Sequence, residues 1–137
     1  WQANVHKRLK VVQVYFSRAL RTGRARMSSV VMQELYAGAL TPTDKTNLDG
    51  INRAFLARGQ TVTPDHDDWT LAGVMLARYQ RIYGEVEPRD HINDILIALC
   101  AAKVNADLAT ENAGDMERWR KMLRRAGKAL HILAPHR

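Results

Sequence analysis

Cysteine is nearly absent from this chain: Cys100 is the only one in 137 residues. An internal disulfide framework is therefore excluded, and a reducing, cytoplasmic setting is expected. Long apolar runs are missing too, and none approaches the roughly 20 residues of a membrane-spanning helix. The first 20 residues carry Lys7, Arg8, Lys10 and Arg18 without the apolar segment of a signal peptide. There is no P-loop, no glycine-rich dinucleotide fingerprint and no GxSxG elbow. The five histidines show no metal-ligand spacing, and none pairs by position with Ser or Cys for nucleophilic hydrolysis. His91 lies near Asp94 and could reach a substrate, but reads more simply as a solvated loop residue. Internal repeats, low-complexity tracts and linkers are also lacking.

Acid is missing from both ends. Residues 1–26 hold seven Lys/Arg and no Asp/Glu, and residues 117–137 hold seven against Glu117 alone. The middle, 27–116, holds seven basic and thirteen acidic residues, a net of −6 within a total of +7. Basic ends around an acidic middle suggest a polyanion-binding surface beside a site that concentrates carboxylates. The plainer alternative is a pair of solvated basic helices. The hydrophobic and charged fractions, 46% and 26%, are those of an ordinary globular protein. The length predicts a single domain over 1–137.

Apolar spacing predicts a helix over 3–22, from Val5, Leu9, Val12, Phe16 and Leu20, with Gly23 as its stop. "RARMSS" is a short extended segment that turns into the helix "SSVVMQELYAGA", with Ser28 or Ser29 as N-cap. A second helix, "TPTDKTNLDGINRAFLARG", starts near Thr41 or Thr43 and stops at Gly59. After the strand-like "QTVTP" comes "DHDDWTLAGVMLARYQRIYG", an amphipathic helix with Trp69, Ala72, Leu76, Tyr79 and Tyr83 on one stripe. Asp65, Asp67 and Asp68 suit its positive N-terminal turn and read as structural. "VEPRDHIN" is a loop into an apolar helix that ends near Asn105. "ADLAT" is a strand, "AGDMERWRKMLRRAG" a basic helix and "ALHILAP" a last strand. Short strands alternating with longer helices predict an α/β domain with a short, mostly parallel sheet.

In open parallel sheets, ligands bind beyond the carboxyl ends of the strands. Glu34 follows the end of "RARMSS" by one helical turn. Thr110, Glu111, Asn112 and Asp115 follow the end of "ADLAT". Asp94 opens a helix apolar on nearly every side, so that helix is a buried post with a carboxylate at its top. Such a cluster of oxygen donors suits Mg2+ or Mn2+, which could activate water and neutralise charge on a phosphodiester. The competing view makes Asp94 an ordinary N-terminal acid beside an Asn93 N-cap. Cys100 reads as core packing. In "RWRKMLRR", Trp119 could stack on a base or pack inward, inward being the simpler, while the arginines are candidate phosphate contacts.

"SSVVMQELYAGA" followed by "NDILIALCAAKVNADLATENAGD" resembles the PIN-domain ribonucleases, especially the VapC-like toxins of bacterial toxin–antitoxin pairs. In that family a Ser-rich strand end leads into a Glu-bearing helix. An "ND-x-LIA" helix start comes later, and then a "T-x-N-x-x-D" element often followed by Phe, where this chain has Met116. The closing "LAP" is similar to the family's C-terminal "V-x-P" strand. The resemblance covers roughly residues 10–135. It implies a PIN-like three-layer α/β/α sandwich and a metal-dependent endoribonuclease. Glu34 and Asp94 would be metal ligands, and Asn112 or Asp115 would complete the set. On this resemblance Glu34, Asp94 and Asp115 would be the catalytic acids, with Ser29, Thr110, Arg118 and Arg120 supporting site and substrate.

It further implies an RNA substrate, a small antitoxin partner and a homodimer, with no membrane association. The family normally begins with a strand ending D-T/S-N, whose Asp is central to the metal site. Asn4-Val5 is only a faint echo without that Asp. The expectation is a PIN-like domain lacking its first strand, with weakened metal affinity unless residues before Trp1 supply the acid. Two alternatives are a catalytically inactive PIN-like module and a small helical nucleic-acid-binding protein.

Overall fold

A computed structural model describes residues 21–110 and 113–133. All but the last two residues of the helix expected over 3–22, the faint Asn4-Val5 echo, Glu111, Asn112 and the closing "AP" lie outside these residues. The chain divides into two compact units, residues 1–62 and 63–137.

In the first unit, strand β1 (Met27–Ser28) runs into helix α1 (Ser29–Ala37), and α2 (Pro42–Ala57) leads to β2 (Thr61–Val62). β1 and β2 pair in parallel, Met27 with Thr61 and Ser28 with Val62. Of the two serines proposed to cap α1, Ser28 does so: its hydroxyl accepts from the Val30 amide at 3.1 Å. Thr41 caps α2 the same way, accepting from the Asp44 amide, and Pro42 occupies the first turn, where no amide is needed. Met27, Met32, Leu48 and Phe55 form the core of this unit, flanked by Val31, Leu35 and Ile51. Tyr36 donates to Asp49 at 2.7 Å, and Lys45 reaches the other oxygen of that carboxylate at 2.8 Å.

The second unit holds α3 (His66–Tyr83), a 3-10 turn (Pro88–Asp90), α4 (Ile92–Lys103), β3 (Asp107–Ala109), α5 (Ala113–Arg125) and β4 (His131–Leu133). β3 and β4 pair in parallel from Asp107↔His131 to Ala109↔Leu133. As expected, α4 is the post: Ile95 through Ala101 are all buried, Cys100 included, and the helix packs against both α3 and α5. α5 contributes Met116, Trp119, Met122 and Leu123, with Trp119 fully buried. The inward reading of Trp119 is therefore the correct one.

A single turn geometry ends α2, α4 and α5. Gly59, Asn105 and Gly127 adopt φ of 64°, 52° and 76°. In each case the next amide reaches back to the carbonyl five residues earlier: Gln60 to Phe55, Ala106 to Ala101, Lys128 to Leu123. Free helix-end carbonyls are thereby satisfied, and the chain is turned toward the strand that follows. Asp65, the N-cap of α3, and Asp68, in its first turn, are structural, as anticipated. Asp65 accepts from the Asp68 amide and Asp68 from the Asp65 amide, both at 2.9 Å, while Lys103 bonds to both carboxylates. Those bonds hold Asp65 down at about 2, the backbone amide first and Lys103 second.

Three expectations need correction. The buried stripe of α3 is Ala72, Met75 and Leu76, whereas Trp69 and Tyr83 are 54% and 63% exposed. The stretch read as an irregular loop contains the 3-10 turn at Pro88–Asp90. Asn93 is not the N-cap of α4: the helix begins at Ile92, and His91 is the cap without a side-chain bond. The 3-10 turn explains this, because its backbone already positions His91, whose carbonyl accepts from the Ile95 amide at 3.1 Å. The α/β class with short parallel strand pairs stands as expected. Among the described residues no helix is long and apolar enough to cross a membrane.

Candidate active site

The end of the buried post gathers the most distinctive side chains of the second unit. Asp94 sits in the first turn of α4, half-buried. Its carboxyl is pushed above the usual carboxylate range, first by burial and second by the charge of Asp115; His91 and Arg118 oppose the shift. The charges of Asp115 and Arg118 on α5 and of His91, just after the 3-10 turn, thus converge on Asp94. The sequence causes this directly. The apolar run Ile95–Ala101 buries α4, the turn aims its first residues out of the core, and Asp115 and Arg118 lie three residues apart on α5. That spacing places them on one face of the helix.

An aromatic group adjoins the acids. The Arg118 guanidinium lies 5.2 Å from the centre of the Tyr79 ring and 5.8 Å from that of Trp119. Tyr79 and Trp119 are 5.2 Å apart, and His91 meets Trp119 at 5.7 Å. His91 is accordingly half-buried against a ring, not the solvated loop residue it resembled in the sequence.

Of the residues singled out from the sequence, Asp94, Asp115 and Arg118 come together. Arg120 does not join them: it is bonded to Glu117 at 2.7 Å and lines a different cleft, of about 290 Å³, with Arg124, Lys128 and His131. Thr110 follows β3, partly buried. Asn112 lies outside the described residues. Glu34, exposed on α1, and Ser29, the first residue of that helix, belong to the first unit. His91, weighed as a possible substrate contact and set aside, and Tyr79, read only as part of the α3 stripe, are the residues beside Trp119 and Arg118 that the sequence did not assign to the site; Tyr83 packs on Tyr79. The available signals were the three-residue offset of His91 from Asp94 and the four-residue offset of Tyr79 from Tyr83.

No group of three or more His, Cys, Asp or Glu able to hold a metal ion occurs among the described residues. Asp94 and Asp115 nevertheless fit a hard divalent cation. They offer oxygen donors only, the number is what magnesium uses when it keeps several waters, and a cation would relieve the burial and repulsion that raise Asp94.

The family model of the PIN domain matches residues 9–121. PIN domains are typically nucleases and generally use divalent metal ions. No curated protein and no solved structure matches the chain.

Proposed function

The chain belongs to the PIN-domain family, and from that premise we propose that it is a Mg2+- or Mn2+-dependent endoribonuclease of the VapC-like toxin class. The observation that carries this reading is the half-buried Asp94 in the first turn of α4, a carboxylate on which the charges of Asp115 and Arg118 both act. Asp94 and Asp115 would hold the ion. When bound, such an ion lowers the pKa of a coordinated water and offsets charge building on a phosphodiester.

The protein's own groups do the remainder. The guanidinium of Arg118 donates several N–H groups to the phosphate oxygens of the scissile link. Its charge also opposes the upward shift of Asp94 while substrate is absent. The buried end of α4 fixes Asp94, so the geometry needs little rearrangement when RNA arrives. On the resemblance, Thr110, which follows β3, would help order the site. Glu34 and Asn112 enter on the resemblance as further ligands, Ser29 and Arg120 as supporting residues. The same resemblance supplies a small antitoxin that holds the enzyme inactive, a homodimer, and action in the cytoplasm.

The test is cleavage of a mixed RNA pool in magnesium or manganese by the wild type and by Asp94→Asn. The expected result is metal-dependent cleavage that falls at least about 100-fold in the variant. Equal cleavage by both, or cleavage undiminished by chelator, overturns the reading. A second reading is a PIN-domain RNA binder without cleavage. It is favoured by the lack of a three-ligand group among the described residues. RNA bound by the wild type but not cut would establish it.

A further inference from the structure

Tyr83, 63% exposed, closes α3 immediately before the turn at Gly84. A large aromatic in that position adds nothing to the core, yet its ring is not loose. It rests on Tyr79, with centroids 4.7 Å apart and a tilt of 39°. Tyr79 is held in turn by the fully buried Trp119 and by Arg118. Arg118 also acts on Asp94. Ring contacts thus lead from the guanidinium of Arg118, through the half-buried Tyr79, to an aromatic surface open to solvent.

These parts match what a single-stranded nucleic acid needs. A guanidinium can take its phosphate, and an exposed ring anchored from below can take an unpaired base by stacking. A duplex keeps its bases stacked on one another and cannot present one to Tyr83. The positions also set an order along the strand, phosphate at Arg118 and the neighbouring base outward of it. A free tyrosine on a helix end would pay entropy to be fixed; here Tyr79 and its supports have already restricted it.

We propose that Tyr83, backed by Tyr79 and Arg118, is a base-stacking site that makes the protein select single-stranded RNA over duplex. The proposal rests on the nuclease reading for its place beside the scissile phosphate, whereas the binding it describes requires no catalysis.

The experiment is fluorescence anisotropy of the full chain with an end-labelled RNA strand in the presence of chelator, so that nothing is cut. The same strand annealed to its complement, and a set of strands with one abasic nucleotide each, serve as comparators. Tyr83→Ala is expected to weaken single-strand binding about five-fold or more and duplex binding not at all. Tyr83→Phe keeps the ring and is expected to bind as the wild type does. One abasic strand should bind equally to the wild type and to Tyr83→Ala. Unchanged affinity in Tyr83→Ala overturns the proposal, as does an equal loss on single strand and duplex or a loss shared by Tyr83→Phe. A melting temperature unchanged in Tyr83→Ala, as its exposure predicts, shows that any loss is local.

Cleavage in magnesium is scored separately. Discrimination without cleavage would sink the nuclease reading and leave the stacking site standing, and cleavage without discrimination would do the reverse.

Discussion

Asp94 and Asp65 are both N-terminal helix aspartates, yet their surroundings push them in opposite directions. Asp65 is held at about 2 by amide and lysine donors, so its ionised form favours the folded state. That contribution is complete above the ordinary value of 3.8 and disappears as pH falls from there toward about 2. Asp65→Asn should therefore lower the melting temperature at pH 7 and flatten its decline between pH 4 and 2, as followed by circular dichroism. Identical acid limbs would refute the assignment. Asp94 has the reverse sign. Its raised value means that ionisation opposes folding, and stability is lost as pH rises through the carboxylate range. The metal-free Asp94→Asn variant should melt higher than the wild type while losing cleavage, a cost of stability that marks functional positions. At this scale the sequence was informative where one residue type has one local use. Asp65 followed by Asp68 is such a case, because the three-residue spacing alone closes the reciprocal cap. It did not reveal the contact of His91 with Trp119, which joins positions 28 residues apart in sequence.

A buried helix tolerates little truncation, and α4 has seven consecutive buried residues. Leu96, with no exposed surface, has no room to relax, so Leu96→Ala should cost about 2–5 kcal/mol in urea unfolding. A loss below 1 kcal/mol would show that the post is not the core. The existence and order of the helices were legible because apolar periodicity and end signals agree; Thr41, Asp65, Gly59 and Gly127 all serve at helix ends. The stripe on α3 was only half legible. Periodicity identifies a line of residues along a helix but not how much of that line a neighbour covers. α3 has 18 residues against 12 in α4 and 13 in α5, so Trp69 near one end and Tyr83 at the other remain exposed. The strands, two or three residues each, carry too few positions for alternation to show; they were found through the turn residues and Pro64 around them.

At the scale of the whole molecule, the basic ends have a partial structural counterpart. Arg124 and Lys128 line the cleft at the end of α5 with Arg120 and His131, which places positive charge on a different part of the second unit from the acid pair. If RNA phosphates enter this cleft, charge reversal of both Arg124 and Lys128 should reduce the slope of log affinity against log salt by about 1.4. An unchanged slope would assign the charge to solvation alone. The family was legible because the motifs that carry the resemblance lie in order along the chain, and the match spans residues of both units. What the order of motifs could not convey is the neighbourhood of each acid, which arises from packing between elements distant in sequence. One feature of the strand pairing bears on motion. Each ladder begins and ends inside its own unit, and the amide of Met27, 2% exposed, is held by the Gln60 carbonyl at 2.9 Å. Its deuterium uptake is therefore a clock for the opening of residues 27–62 alone, and uptake along 107–133 is a second, separate clock. Two different rates would mean that the molecule breathes in halves, and a shared rate that it opens as one.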